Sequence, residues 1–437
     1  MKVVRGYKTE LDVNNEQRTA CLKHAGVARF AYNWGIAQSV EVYRATGKRP
    51  TAIDLHRDLN KLKQTDYPWM YEVSKCAPQE ALRDLEKAYK NFYQRCKLKR
   101  LGKWKGKLGF PTFKKKSKGI GSFRLTGFIK VFENSVQLPR LGIVRLYEKQ
   151  YIPTDAKVLS ATVSEQAGRW FVSIQVEEEQ EKPAPTLIPP ANEAAASSLR
   201  LRLADQKTAT TAIGVDLGIK TLATCSDGTT FENPRALKHS LKKLRRLEKQ
   251  KSRRKKGSKN RSKSCKQIAK THARIANIRK DASHKLTSYL VKNHSLIAIE
   301  DLHVAGMLKN HCLAQAISDS NFGEIRRQLE YKANWYGVHL VVIDRFSPSS
   351  QLCSHCEWRN ETLTLADRVF VCQDCGAVTD RDYNAAQNIK KVAMSSIDTQ
   401  NAYGERSAGL SNGTGETALV EVGTKGEVWA LSQMSIV

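Results

Sequence analysis

The sequence contains no long apolar run. No stretch reaches the roughly 18–20 consecutive apolar residues that span a bilayer, and residues 1–10 lack the apolar core of a secretory signal. The ten cysteines are too few and too scattered for a disulfide framework in a chain of 437 residues. These absences argue against membrane and secreted proteins, and they predict a cytoplasmic chain with free thiols.

Acidic residues are scarce relative to basic ones. The chain has 43 Asp and Glu against 73 Lys and Arg, which gives a formal charge of +30 at pH 7. A solvated basic surface could explain any single cluster, but an excess of this size indicates a polyanionic partner such as DNA or RNA. The length predicts two to three domains with room for buried cores.

Two Cys-x-x-Cys pairs stand in the last quarter of the chain. Cys353 and Cys356 are separated by fifteen residues from Cys372 and Cys375. Pairs at this spacing can place four thiolates at the corners of a tetrahedron, which is the geometry of a structural zinc site. Unrelated buried cysteines are the alternative, and the regular spacing argues against it.

Acidic residues in two apolar strands predict a second metal site. Asp216 lies within a short apolar strand that precedes a hairpin turn, and Glu300 closes another apolar strand. Burying a lone carboxylate is costly unless it binds a partner such as a metal ion. Either residue alone would be an ordinary strand-end acid. With Asp382, which follows the last cysteine, they form a ligand set for two Mg²⁺ ions about 3.5–4 Å apart, clamping a scissile phosphate.

The motifs around these residues resemble those of a known family. They are Gly214-Val-Asp-Leu-Gly218, Ile299-Glu-Asp-Leu302, the two cysteine pairs and Asp380-Arg-Asp-Tyr-Asn384-Ala-Ala386. In order and spacing they resemble the split RuvC nuclease of TnpB, the OrfB-type protein of bacterial insertion sequences. The resemblance runs from about residue 32 to about residue 393. One departure is Glu357, where many relatives have glycine, and it removes no zinc ligand.

The resemblance implies an activity, cofactors and partners. Characterised family members, although called transposases, are RNA-guided DNA endonucleases, and compact type V CRISPR effectors share their nuclease. It implies that Asp216, Glu300 and Asp382 are catalytic and bind a pair of Mg²⁺ ions, and that the four cysteines bind one structural zinc. The implied partners are a guide RNA, with one protein monomer favoured per guide, and a complementary double-stranded DNA beside a short flanking motif. Such a protein would act at the nucleoid of a prokaryote.

Two neighbouring acids compete for these assignments. Asp301 is the alternative to Glu300, and Asp380 is the alternative to Asp382. Asp382 is preferred because it stands two residues before Asn384, which is the usual register in the family. Asp380 suits the N-cap of the helix that follows.

Hydrophobic periodicity predicts a multidomain α+β protein. Six period-two runs between residues 120 and 178, with the amino-terminal strand, predict a small closed β-barrel, and apolar stripes predict a helical insertion. The second half has the element order of an RNase H-like fold. The predicted parts are a barrel (1–14 and 119–180), a helical recognition insertion (15–118), a linker (181–210), a RuvC nuclease (211–350 and 380–394, with basic helices at 234–280), a zinc ribbon (351–379) and a disordered tail (395–437).

Three groups of residues are predicted to contact nucleic acid. Cations alternate with aromatics between residues 97 and 118, which suits phosphate neutralisation and base stacking. A basic turn at 253–261 joins the two basic helices, which carry about twenty Lys and Arg against one acid. A polar helix face at i, i+4 and i+8 suits base reading in the flanking motif. The residues are Lys103, Trp104, Lys105 and Phe110; Arg253, Arg254, Lys255 and Lys256; and Lys75, Gln79 and Arg83. A solvated face is the alternative for each group.

Two classes of function compete. The first is a metal-dependent endonuclease guided by RNA, encoded by an insertion sequence or acting as a compact CRISPR effector. The second is a non-cleaving nucleic-acid-binding protein, such as a guided repressor or a transposition accessory. The presence of all three acids favours the nuclease, because binding alone does not require them. A recombinase with a covalent intermediate would need a Tyr or Ser nucleophile, and no motif marks one.

Overall fold

The first part of the chain forms a seven-stranded antiparallel sheet. A computed structural model describes residues 2–179, 211–364 and 367–407, with side chains of the last segment described to residue 396. The strands are β1 (Lys2–Asp12), β2 (Ser122–Leu125), β3 (Lys130–Val131), β4 (Ser135–Leu138), β5 (Gly142–Leu146), β6 (Lys157–Gln166) and β7 (Arg169–Glu179). Their spatial order is β2-β6-β7-β1-β5-β4-β3. Each of the predicted period-two runs overlaps one of the strands β2 to β7.

The predicted closed barrel is wrong. Within the described residues, β2 and β3 are the two edges of the sheet and do not pair with each other. The helical insertion takes the place of a closing strand pair, since Phe123 of β2 packs 5.0 Å from the ring of His24 and the thiol of Cys76 donates to the carbonyl of Thr126. An edge that is covered by helices does not need to close on itself.

Three α-helices form the insertion between β1 and β2. They are α1 (Asn15–Thr46), α2 (Ala52–Thr65) and α3 (Cys76–Arg100), with 3-10 helices at Pro68–Glu72 and Lys116–Lys118. Capping boxes begin α1 and α2, and Gly47, in the left-handed conformation, ends α1. Leu55, Leu82 and Leu85 pack in one apolar core with the sheet. The helices and the sheet therefore share a single core.

The second part of the chain is built on a five-stranded mixed sheet. Its strands are β8 (Ala212–Asp216), β9 (Thr221–Cys225), β10 (Thr230–Glu232), β11 (Leu296–Glu300) and β12 (His339–Ile343), in the order β10-β9-β8-β11-β12. Strands β8, β11 and β12 are parallel, whereas β9 and β10 are antiparallel to their neighbours. The helices are α4 (Ala236–Ser252), α5 (Lys259–Asn293), α6 (Val304–Met307), α7 (Ala314–Ser320), α8 (Phe322–Tyr336) and α9 (Arg381–Ser407).

Strand β11 shows how this sheet is covered on both faces. Ile297 and Ile299 lie in a core with residues of α5 and α8, while Leu296 and Ala298 lie in another with Ile389 of α9. Such continuous apolar character is typical of a strand buried on both sides. The order of the five strands, the two basic helices, α8 and α9 is the predicted one, whereas the short helices α6 and α7 were not predicted. The assignment to an RNase H-like fold stays a prediction. Across the described ranges, no helix has both the length and the apolarity needed to cross a membrane.

A two-stranded sheet precedes the last helix. It consists of β13 (Val369–Val371) and β14 (Val378–Asp380), and the two cysteine pairs flank β13. Helix α9 runs to Ser407, past the predicted start of a disordered tail at 395. The predicted linker 181–210 and residues 408–437 lie outside the described residues.

Candidate active site

Two carboxylates end neighbouring parallel strands. Asp216 is the last residue of β8, and Glu300 is the last residue of β11. The strands pair in register with Val215 opposite Ile299, so the two acids follow at the same edge of the sheet. The carboxyl ends of parallel strands are where open α/β sheets place their ligand sites.

The third carboxylate is brought in by α9, which lies directly on β8. A Cβ added at Gly214 would meet the carbonyl oxygen of Ala386 at 2.1 Å and the amide nitrogen of Lys390 at 2.6 Å, so only glycine allows this contact. Asp382 is the second residue of α9. The glycine two residues before Asp216 therefore sets how closely the helix carrying Asp382 approaches the strand.

The two rival acids have other partners. The Asp380 carboxylate accepts hydrogen bonds from the amides of Asp382 and Tyr383, each at 3.0 Å, and thereby acts as the predicted N-cap of α9. The Asp301 carboxylate is paired with Arg345, and Arg326 lies 3.6 Å from it. Both acids are thus engaged in local structure.

The electrostatics of Asp216 show that the three acids act on one another. Burial, followed by the charges of Glu300 and Asp382, raises the pKa of Asp216 to about 7, and the positive charge of Arg381 opposes the shift. Carboxylates that repel one another in a partly dry site favour a bound cation. The three carboxylates are nevertheless spread wider than the four cysteines. In the described part of the chain, the cysteines are the one group of three or more Cys, His, Asp or Glu residues whose ligand atoms all lie within 4.8 Å of one another.

Ser349 and Asn388 connect Glu300 to α9, and the sequence alone did not single them out for this role. The hydroxyl of Ser349 donates to Oε1 of Glu300, and the amide of Asn388 donates to the carbonyl of Ser349 at 2.7 Å. None of the side chains in this chain of bonds has a buried polar atom without a hydrogen-bond partner, as is usual for buried polar groups. The spacing of Asn384 and Asn388, one helical turn apart on α9, is the signal that could have suggested it.

Asn384 and Asn388 also hold the base of the cysteine ribbon. Both asparagine amides donate to the carbonyl of Leu352, at 2.6 and 2.7 Å, and the amide of Ser354 donates to the side chain of Asn384 at 2.8 Å. Both asparagines are buried. The ribbon and the helix that carries Asp382 are therefore joined by several hydrogen bonds.

The four cysteines have the geometry of a zinc site. The sulfurs of Cys353 and Cys375 are 3.7 Å apart, and those of Cys356 and Cys372 are 3.4 Å apart. A tetrahedron with Zn–S bonds of about 2.3 Å has edges of about 3.8 Å, close to these separations. Four sulfurs leave no position for water, so an ion held here would have a structural role.

The residues predicted to read a flanking motif lie at the start of α3. Lys75 immediately precedes the helix, and Gln79 and Arg83 follow at one-turn intervals. The guanidinium of Arg83 is 2.6 Å from the carboxylate of Glu80, which is buried, whereas Lys75 is exposed. Their contact with DNA stays a prediction.

The cations and aromatics after α3 lie in a loop without regular structure between residues 101 and 115. Lys103 and Lys105 are exposed. The ring of Phe110 packs edge-on against Tyr89 and Phe92, and Arg95 lies 5.5 Å from the ring of Trp104. Both aromatic rings therefore have partners within the protein, while the charges remain available to phosphates.

Helices α4 and α5 form the predicted basic hairpin. Leu244 and Leu247 pack against Ile268 and Ile275, and the amino-terminal end of α4 donates two main-chain amides to the buried carboxylate of Asp319. A cavity of about 610 Å³ lies between the helices. Its basic lining residues are His239, Lys243, Arg246, Lys270 and Arg274.

In the turn between these helices, Arg254 has a different environment from the three basic residues beside it. The Arg254 guanidinium donates to the carbonyl of Asn260 at 2.6 Å and to the hydroxyl of Ser264 at 2.5 Å. Arg253, Lys255 and Lys256 are exposed. Arg254 therefore shapes the turn, and the other three are free to meet a polyanion.

Comparison with known proteins gives the family. A family model described as a probable transposase matches residues 171–311. A Streptomyces pristinaespiralis protein named as an RNA-guided DNA endonuclease is 33% identical over 402 residues, covering 90% of each chain. A TnpB-like protein, L79 of Acanthamoeba polyphaga mimivirus, is 28% identical over 143 residues, 31% of this chain and 27% of that one. The chain belongs to the TnpB family.

Further matches cover other parts of this TnpB-family chain. An Escherichia coli (strain K12) protein named RNA-guided DNA endonuclease InsQ is 32% identical over 407 residues, 89% of this chain and 92% of that protein. A family model described as a Cas12f1-like TNB domain matches residues 322–389, which include all four cysteines. Another, described as a helix-turn-helix domain, matches residues 1–48, where the structure has one strand and one long helix.

Proposed function

We propose that this protein is a transposon-associated, RNA-guided DNA endonuclease of the TnpB type, with a metal-dependent RuvC nuclease site at Asp216, Glu300 and Asp382. The observation that carries the proposal is the convergence of these acids: burial, followed by the charges of Glu300 and Asp382, raises the pKa of Asp216 to about 7. The names of the relatives over nine-tenths of the chain support the same activity. A complementary double-stranded DNA is the proposed substrate, and a guide RNA the proposed partner.

The donor set fits divalent cations with oxygen ligands. Asp216, Glu300 and Asp382 would hold Mg²⁺, which in such sites stabilises charge on the scissile phosphate and activates water for in-line hydrolysis. The chain's own residues keep this set in place. Ser349 orients the carboxylate of Glu300, and the close contact at Gly214 fixes α9 and hence Asp382. The four cysteines would hold one structural zinc.

The test compares two acids in the same motif. Wild-type protein carrying its co-purified RNA should cut a duplex complementary to that RNA when Mg²⁺ is present. Asp382→Ala should abolish cutting while nucleic-acid binding stays nearly intact. Asp380→Ala is the matched control and should cut, with a modest loss of stability from the missing cap. Cutting by Asp382→Ala, with loss in Asp380→Ala, would overturn the assignment, and binding without cutting by wild type would support the non-cleaving alternative.

A further inference from the structure

Two cavities with shared lining residues lie beside Asp382 of the proposed nuclease site. The first, of about 280 Å³, is lined by Asp382 and Tyr383. The second, of about 340 Å³, has apolar lining from Ile219 and Leu313 among its walls. Lys220 and Arg368 line both cavities. An extended ligand that ran from Asp382 in the first cavity into the second cavity would pass these two cations.

Lys220 and Arg368 are exposed, and their charges are not neutralised locally. Among the described residues, neither has an acidic side chain within 4.0 Å. Two other arginines differ, because Arg279 binds Asp319 at 2.8 Å and Arg345 is paired with Asp301. Two unpaired cations beside several carboxylates suit an anionic ligand that reaches those carboxylates.

Main-chain contacts fix the position of Lys220. The carbonyl of Lys220 accepts a hydrogen bond from Arg235 at 3.1 Å, and the carbonyl of Ile219 accepts one from Asn233 at 2.9 Å. Gly218 makes the tight turn possible, because a Cβ there would lie 2.8 Å from the carbonyl oxygen of Thr221. The residue is thus presented from a rigid turn directly after Asp216.

The position of Arg368 is fixed by the helix that carries Asp382. The carbonyl of Arg368 accepts a hydrogen bond from the amide of Arg381 at 2.9 Å. The side chain of Arg381 in turn donates to the carbonyl of Thr364, also at 2.9 Å. Arg368 therefore keeps its place relative to the start of α9 and the proposed metal ligands.

We propose that Lys220 and Arg368 bind the backbone phosphates next to the scissile phosphate, and that the second cavity receives the adjoining nucleotide of the cut DNA strand. This inference rests on the proposed function. Cations on a rigid support form strong charge-assisted hydrogen bonds with phosphate oxygens. The apolar wall formed by Ile219 and Leu313 suits a base. Both residues would thus position the strand, with no part in the chemical step.

The test combines charge removal in the protein with charge removal in the DNA. Protein carrying its co-purified RNA is given complementary duplexes, each with one neutral methylphosphonate linkage near the mapped cut. Lys220→Gln and Arg368→Gln should each cut the unmodified duplex about tenfold more slowly or worse. For each cation, one neutral linkage should slow cutting by wild type but should not further slow the variant that lacks this cation. Lys220→Arg should respond to the linkages as wild type does. Lys149→Gln and Arg18→Gln, at exposed sites outside both cavities, should cut at the wild-type rate.

The outcomes separate this inference from the proposed function. If Asp382→Ala is inactive but Lys220→Gln and Arg368→Gln cut like the two controls, only the inference is wrong. The inference is also wrong if both variants cut slowly but every neutral linkage slows them by the same factor as it slows wild type. If wild type does not cut, or Asp382→Ala cuts equally well, the proposed function fails first. Unchanged melting temperatures and zinc content of the variants would exclude misfolding as the cause of slow cutting.

Discussion

Asp216 illustrates the cost of placing a carboxylate, here a proposed metal ligand, at the edge of a protein core. Its strand is apolar and covered on both faces, so the carboxylate loses water, and two further carboxylates face it. Without a cation, the folded protein holds a proton on Asp216 between about pH 4 and pH 7, where the unfolded chain has released it. Because this folded-state pKa lies above the ordinary value, stability should fall as pH rises from about 4 to about 7.

The first prediction follows from that sign. In protein dialysed free of Mg²⁺ but retaining zinc, Asp216→Asn should raise the free energy of unfolding at pH 8 by up to about 4 kcal/mol. The gain should vanish below about pH 3, where Asp216 is protonated in both states, and added Mg²⁺ should stabilise wild type more than the variant. Denaturant unfolding across this pH range measures the effect, with Asp155→Asn as an exposed control. A pH-independent loss of stability in Asp216→Asn would contradict it.

Glu357 is the residue that departs from the family's usual glycine. Its φ of 67° lies in the left-handed region, and Gly376, at the matching place after the second cysteine pair, has φ of 73°. A side chain in this region costs roughly 1 kcal/mol. Glu357 therefore strains the backbone directly after the first cysteine pair but leaves these cysteines in place.

The second prediction is a reciprocal pair of substitutions. Glu357→Gly should stabilise the ribbon by up to about 1 kcal/mol, and Gly376→Ala should destabilise it by a similar amount. Space is not the cause in the second case, because nothing lies within 4 Å of a Cβ added at Gly376. The rate of zinc loss to a chelator measures both variants. Faster zinc loss from Glu357→Gly than from wild type would show that its side chain contributes more than its backbone costs.

At the scale of elements, the sequence located most strands but not how they assemble. Period-two runs mark a strand because each has one buried face, as in β6 and β7. Closure of the first sheet depends on whether helices cover its edge, which no local pattern encodes. The acids at the ends of β8 and β11 were visible as polar residues in apolar runs. Ser349 and Asp319 were not, because their partners lie far away in the chain.

The third prediction concerns the ribbon and α9 as a unit. Purified wild type should contain about one zinc per chain, and Cys375→Ser should lose it. Losing zinc should release the ribbon, weaken the hydrogen bonds that join Asn384 of α9 to the amide of Ser354 and the carbonyl of Leu352, and lower cutting indirectly through Asp382. Metal analysis and cleavage rates measure this, with Cys265→Ser, an exposed cysteine of α5, as control. Less than about half an equivalent of zinc in fresh wild type would count against the site.

For the whole molecule, the excess of positive charge is concentrated on the hairpin of α4 and α5. The hairpin of α4 and α5 has a small apolar core, and the amino-terminal end of α4 is capped by Asp319 of α7. Exposed cations along both helices repel one another unless a polyanion neutralises them. The distribution of charge thus agrees with the proposed guide RNA and DNA as partners of this hairpin.

The last prediction compares the three exposed cations in the turn of that hairpin with Arg254, which has a structural role in the same turn. Replacing Arg253, Lys255 and Lys256 together by Gln should flatten the slope of log affinity against log salt by up to about one for each phosphate that the protein no longer neutralises. Affinity should fall uniformly across DNA sequences, because phosphates carry no sequence information. Arg254→Gln is the matched control, and it should lower the melting temperature while leaving the slope nearly unchanged, since its guanidinium is bonded to Asn260 and Ser264. Binding titrations of the co-purified RNA at several salt concentrations measure both, and an unchanged slope in the triple variant would mean that these three charges are merely solvated.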